Sequence, residues 1–320
     1  MKEWEFGGFF SFYENKGKEY HNNVLKLNSA RYCLEYLLKE KKYKKIYLPY
    51  YICDSVVNTI KKLEIDIDYY SIDKNMKPIF LKEKIEKSEV IFFVNYFGFL
   101  TEKEIKSYKE KYKNIILDNT QAFFFKPIKN IDTIYSCRKF FPVVEGGYLY
   151  SEGISEIEYQ KLEQIYIYDK LEFLFKRYEK DANSAYSLYQ EIESKLDKIG
   201  IKKISNLTIN LLNGIDYDFS KVTRERNFLY LHNKLKNINQ LEINEKNING
   251  PFSYPLLLEK NIKQDLVKEK IYIPTLWQEV KTRVEESSFE YNLVENLHSI
   301  SIDERWSIED LEKVISRILS

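Results

Sequence analysis

Apolar and polar positions fall in blocks along the first half of this chain, and the blocks alternate between two periods. Lys45–Pro49 (KIYLP) is a short β-rich run, and residues 53–63 follow with helical spacing. Residues 67–72 (IDYYSI) and 89–95 (EVIFFVN) come next, the second with a continuous apolar stretch of the kind found in strands buried on both faces. Thr101-Glu-Lys-Glu104 has capping-box spacing and opens a predicted helix to about Lys111. Residues 114–118 (NIILD), 131–136 and 147–151 (GYLYS) read as further strands. Strands separated by helical stretches predict an α/β sheet with right-handed crossovers, whose ligand-binding residues collect at the carboxyl ends of the strands.

The second half has a different texture. Residues 156–199 are mostly helical in pattern and rich in Lys, Glu and Tyr, and residues 216–236 read as one long amphipathic helix. Residues 241–277 mix strands and a helix, and Ser307-Ile-Glu-Asp310 opens a terminal helix to Leu319. The pattern divides the chain into a large domain, residues 1–210, and a small C-terminal α+β domain, residues 211–320, with no internal repeat.

Composition narrows the function classes. The 320 residues are 44% hydrophobic, enough for a sizeable core. Lys plus Arg number 50 against 49 Asp plus Glu, so no basic excess points to nucleic acid. Three cysteines, Cys33, Cys53 and Cys137, have no C-x-x-C spacing, and His21, His232 and His298 are scattered. Neither a disulfide framework nor a metal motif is expected, and a reducing cytoplasm fits. The N-terminal twenty residues lack the layout of a secretory signal. The longest apolar stretches are strand-length, well short of the roughly 20 residues that span a bilayer, so a soluble protein is expected.

Candidate chemistry sits at the predicted strand ends. Ser29 opens a helix whose apolar face runs through Ala30, Cys33, Leu34, Leu37 and Leu38, which makes either an ordinary N-cap or an anion site. Tyr50 and Tyr51 follow Pro49 at a strand end, where an aromatic packs or stacks on a planar ligand. Asn95-Tyr96-Phe97-Gly98 closes another strand. Asp118 ends the apolar strand IIL and opens the polar run Asp-Asn-Thr-Gln; a buried carboxylate there needs a partner. Lys139 lies between the strand-ending Ser136 and Glu145-Gly146-Gly147, beside Arg138, Phe140 and Phe141. A lysine that forms Schiff bases needs partial desolvation or cationic neighbours. A phosphate turn, a stacking residue, a carboxylate and a lysine in this order suit pyridoxal 5′-phosphate (PLP).

With these residues in view, the chain resembles the DegT-type nucleotide-sugar aminotransferases of the aspartate-aminotransferase fold (fold type I). Asn28-Ser29-Ala30-Arg31 is similar to the family's Ser-Gly-Arg phosphate turn, with Ala30 where Gly is usual, and Leu48-Pro49-Tyr50-Tyr51 is similar to its proline-then-aromatic strand end. Leu117-Asp118-Asn119-Thr120-Gln121 resembles its Glu-Asp-x-x-Gln/His block, with Leu117 where Glu is usual, and the stretch from Lys139 to Gly147 resembles its lysine-to-Gly-Gly segment. Arg224-Glu225-Arg226-Asn227 is similar to the Arg-containing helix of the small domain.

The resemblance implies a large domain with a mostly parallel central sheet and a Schiff base between PLP and Lys139. Asp118 then faces the pyridine nitrogen and Gln121 the ring oxygen, while Tyr51 or Cys53 lies against the ring face. Ser29, the N–H groups of Ala30 and Arg31, and Ser136 hold the phosphate; Ser136 sits closer to the lysine than in many members. The implied reaction moves an amino group from an amino acid, glutamate foremost, to a nucleotide-linked keto-sugar in surface-polysaccharide biosynthesis, within a homodimer. Two alternatives stay open. One is a PLP enzyme of the same fold that aminates a small phosphorylated ketone or decarboxylates an amino acid. The other is a non-catalytic scaffold, against which the joint presence of Asp118 and Lys139 argues.

Overall fold

A computed structural model describes residues 6–80 and 82–320, so the first five residues of the stretch read for a signal lie outside the described residues. Ten strands and eleven α-helices are found among them. The strands are β1 (Leu25–Leu27), β2 (Lys45–Pro49), β3 (Asp66–Ile72), β4 (Pro78–Ile79), β5 (Glu89–Val94), β6 (Ile115–Asp118), β7 (Asp132–Ser136), β8 (Gly147–Tyr150), β9 (Tyr254–Leu257) and β10 (Leu297–Ile300). The helices are α1 (Ala30–Lys41), α2 (Asp54–Lys62), α3 (Glu102–Tyr112), α4 (Glu156–Lys161), α5 (Glu172–Glu179), α6 (Ala182–Leu196), α7 (Asn206–Asn213), α8 (Tyr217–Leu235), α9 (Lys263–Lys268), α10 (Phe289–Asn296) and α11 (Ile308–Leu319).

Eight strands form one sheet in the order β1-β8-β7-β6-β5-β2-β3-β4. Its centre, β3-β2-β5-β6-β7, is parallel throughout. Strands β1, β4 and β8 are the antiparallel additions. Central strands carry unbroken apolar runs because helices cover both faces: β5 is EVIFFV with all but its first residue buried, and β6 is IILD, buried throughout. Both capping boxes expected from the sequence form, Thr101 with Glu104 on α3 and Ser307 with Asp310 on α11. A separate antiparallel pair, β9 with β10, packs with α8 and α11 around Phe228, Leu231, Tyr254, Ile300 and Leu311.

Register lines up the carboxyl ends that matter. Val94 pairs with Asp118 and Asp118 with Ile134, so the ends of β5, β6 and β7 lie side by side. Two residues further on, Ser136 pairs with Gly147, and Gly147 in turn pairs with Leu27 at the end of β1. On its other side the β1 segment is tied to a later stretch: Asn28 N–H donates to Lys202 O at 3.0 Å and Ile204 N–H to Lys26 O at 3.1 Å. The N-terminus of α1 is thereby seated on the start of β8. A Cβ at Gly147 would stand 2.4 Å from the Ser29 carbonyl carbon and 2.5 Å from Ala30 N, so only glycine permits this approach. Gly147→Ala is therefore expected to push α1 off β8 and lower unfolding free energy by about 3 kcal/mol, measured by urea denaturation.

Candidate active site

Ser29 is the N-cap of α1, with extended backbone and its hydroxyl accepting from Tyr32 N–H at 3.4 Å. Ala30 and Arg31 form the first turn of α1, where backbone N–H groups have no partner within the helix. The Gly147 contact places this turn beside Ser136 at the end of β7. Ser29, Ala30 and Arg31 thus stand near Ser136, and the free N–H groups of this helix terminus are of the kind that suits an anion. The Arg31 guanidinium turns to Asp197, just past α6, at 2.5 Å. Arg138, next to Lys139, pairs with Glu193 on α6. One helix end therefore supplies acids to both arginines that flank the turn.

Asp118 ends β6 and is buried. Its Oδ1 accepts the Thr120 N–H at 2.7 Å. Burial pushes the Asp118 carboxyl above its ordinary value, while the Lys139 charge and the Thr120 bonds pull it back. Lys139 lies in the turn after β7, and its Nζ donates to Thr120 Oγ1 at 3.0 Å. Asp118 and Lys139, separate in the sequence, meet through Thr120, a residue the sequence left without a role. Its only signal was its place in the polar run after Asp118.

The surroundings of Lys139 differ from the expectation of aromatic desolvation. Phe140 and Phe141 turn into a buried aromatic cluster with Phe123, Phe124 and Tyr217, whereas Lys139 itself is exposed. The two rings are buried while the lysine stays exposed, although Phe140 and Phe141 line the same cavity as Lys139. Lys139 opens onto a cavity of about 1100 Å³ lined by Arg138, Phe140, Phe173, Arg224 and Trp306 among others. Arg224, buried on α8, donates to the carbonyls of Phe140 at 3.0 Å and Phe252 at 3.2 Å, and so fastens the lysine turn from the far side.

The remaining candidates stand at or after neighbouring strand ends and are not among the residues that line this cavity. Gln121 Oε1 accepts the Phe97 N–H at 3.1 Å, and Asn95 Nδ2 donates to Asn119 Oδ1 at 3.0 Å, knitting the ends of β5 and β6. Phe97 and Gly98 sit at φ +54° and +79°, which gives the turn after β5 its left-handed course. Tyr51 is fully buried, edge-on to Trp277, with its hydroxyl unpartnered and its backbone carbonyl accepting from the Tyr96 hydroxyl. Cys53, half-buried at the N-cap of α2, places its thiol 2.9 Å from Ser55 Oγ. Neither Tyr51 nor Cys53 contacts the Asp118–Thr120–Lys139 group through a hydrogen bond.

Glu145, the acid that opens the Glu-Gly-Gly run after Lys139, is buried. Its Oε1 accepts both the N–H and the hydroxyl of Ser205, the N-cap of α7, at 3.0 and 2.8 Å. It ties the segment between Lys139 and β8 to a helix far along the chain. Among the described residues no group of His, Cys, Asp and Glu is arranged to hold a metal ion, and no helix is long and apolar enough to cross a membrane.

No family model matches the sequence, and no curated protein matches it either. Solved structures do. Sugar aminotransferase CalS13 from Micromonospora echinospora matches 92% of this chain and 86% of its own, with TM-score 0.62 at 14% identity. Spr1654 from Streptococcus pneumoniae in its PLP-form matches 92% and 85%, with TM-score 0.62 at 14% identity. PseC from Helicobacter pylori, an aminotransferase involved in the biosynthesis of pseudoaminic acid, matches 92% and 85%, with TM-score 0.61 at 14% identity. The chain thus has the fold these proteins share, the α/β fold type I expected from its sequence.

Burial pushes the Glu145 carboxyl from its ordinary 4.5 up to about 7, against the pull of Thr208, Ser205 and Arg138. Between those two values the folded chain holds a proton that the unfolded chain releases. Stability therefore falls as pH rises through that window, by about 3 kcal/mol from this one group. Urea unfolding at pH 5 and pH 8 is expected to show the loss. Glu145→Gln, which keeps an acceptor for Ser205 but cannot titrate, is expected to flatten it.

Proposed function

We propose that this chain is a PLP-dependent aminotransferase that moves an amino group from an amino acid, glutamate foremost, to a nucleotide-linked keto-sugar in surface-polysaccharide biosynthesis. The observation that carries the reading is the pairing of an exposed lysine amine with a buried carboxylate across Thr120, beside a donor-lined helix terminus. The fold is shared with proteins described as sugar aminotransferases, one of them solved in a PLP-form.

The donor set fits the cofactor. An acid, an amine and an anion cradle stand in one row of strand ends, and a buried carboxylate with an amine partner matches a protonated pyridine ring beside a lysine. When bound, PLP supplies an aldehyde that captures amines and a ring that accepts electrons. Ser29, the N–H groups of Ala30 and Arg31, and Ser136 would hold its phosphate. Asp118 would keep the proton on the ring nitrogen. Gln121, held by Phe97, would lie by the ring oxygen, and Tyr51 or Cys53 by the ring face. Lys139 would attach the cofactor, yield to the donor amine, and then carry the proton from the donor's α carbon. The same reading takes residues 1–210 as the cofactor-binding domain, 211–320 as the small domain, and the protein as a cytoplasmic homodimer. Its three free thiols and the exposed aromatics Phe175 and Tyr178 near the cavity support the last two points.

Purified protein given PLP is expected to show a visible absorbance band that is absent in Lys139→Ala, and to transfer the amino group of glutamate to one member of a panel of keto-sugars and small keto-phosphates. Asp118→Asn is expected to lower kcat by roughly 10²-fold or more while the protein stays folded. A wild-type protein that stays colourless and takes up no PLP overturns the proposal.

A further inference from the structure

Arg138 and Lys139 are neighbours in the turn after β7, and both line the cavity of about 1100 Å³. A guanidinium carries five N–H donors in a planar fork. Here Nη2 pairs with Glu193 on α6, and Nε is buried with no partner. The pair is partly wet, its side chains 20% and 27% exposed, so it adds little to stability and is open to exchange. Glu193 itself is fixed in place, because Ile192 and Leu196 of the same helix pack with Val144 in the segment between Lys139 and β8. The other acids near Arg138 are committed elsewhere, Asp197 to Arg31 at 2.5 Å and Glu145 to Ser205 at 2.8 Å. The other cavity arginines stand differently. Arg224 uses its two terminal nitrogens on backbone carbonyls, Arg305 closes on Asp303 at 2.6 and 2.8 Å, and Arg177 is exposed on α5.

We infer that Arg138 is a substrate-binding residue that takes a carboxylate of the amino donor, and that Glu193 competes with that carboxylate for the guanidinium. This rests on the reading of Lys139 as the residue that meets the donor amine. An amino acid carries its carboxylate on the same carbon as its amine, so a receptor for it must open into the space that Lys139 lines. Arg138 does so, and the chain holds it one residue from the lysine. A donor carboxylate offers the same two oxygens as Glu193 and matches the planar fork. Competition lowers the apparent affinity, because only molecules with Arg138 released are ready to bind. The phosphate turn is a separate matter: Ser29, Ala30, Arg31 and Ser136 are not among the residues that line this cavity.

Succinate, which has carboxylates and no amine, is the probe, titrated by calorimetry into the purified protein with and without added PLP. Arg138→Gln is expected to weaken its binding about tenfold or more, the size of a lost charge-assisted bond. Glu193→Gln is expected to tighten it several-fold, since the competitor is gone. A purely structural ion pair predicts shifts in the same direction, or none, and either result in folded variants overturns the inference. So does a wild-type protein that binds no succinate. If Arg138→Gln does not melt cooperatively, Arg138→Lys, which keeps the charge and loses the fork, is read in its place with the same expectation of weaker binding. Inorganic phosphate is the second probe. Phosphate binding lost in Arg138→Gln while succinate binding is intact assigns the guanidinium to the cofactor's phosphate and overturns the inference. A wild-type protein that takes up no PLP defeats the proposed function, while the opposite shifts in succinate binding still decide whether Arg138 receives a carboxylate.

Discussion

A carboxylate at the end of a buried strand is the constraint around which this molecule is arranged. Asp118 closes a strand whose other residues are all apolar, and burial opposes its charge. Such a group is tolerated only with partners. The partners come from two directions: the turn that follows it, through Thr120, and the turn after the neighbouring strand, through Lys139. The parallel arrangement makes this possible, because it brings the ends of β5, β6 and β7 to one level and leaves their turns free to converge. Gln121 and Asn95 use their amides to tie those turns together.

Much of the fold is legible in the sequence, for identifiable reasons. Strands β5 and β6 announce themselves because a sheet covered on both faces needs uninterrupted apolar runs. Helices α3 and α11 are readable from their first four residues, since a capping box is a local event. What escapes is structure whose stability is supplied from afar. Strand β1 is only Leu-Lys-Leu, and it exists because β8 and the segment around Lys203 flank it. Helices α7 and α10 and strand β10 were likewise unmarked, being short and held by packing more than by pattern. The direction of β8, antiparallel to β7, cannot be read from a period that is the same either way.

The site divides along the same line. The residues at strand ends can be located from the sequence, because the ends of apolar runs are visible; their contacts cannot. Thr120 stands between the two most conspicuous residues and looked like filler in a polar turn. Glu145 and Ser205 lie 60 positions apart. Phe140 and Phe141 look like a desolvating wall for Lys139; they are buried in the aromatic cluster and border the same cavity, yet the lysine stays exposed.

The position of β1 has a consequence for how the protein comes into being. This strand opens the sheet in sequence, yet both of its neighbours are made much later: β8 about 120 residues on, and the segment around Lys203 later still. During synthesis β2 through β7 can pair as they emerge, while β1 and the α1 terminus wait at an unfinished edge. Only after residue 204 leaves the ribosome can the two sides close on β1 and seat the helix end against Gly147. Contacts of such long sequence separation form late and slowly. The seat of the α1 terminus is therefore the last piece of the large sheet to be completed, and a nascent chain lacks it until residue 204 has been made.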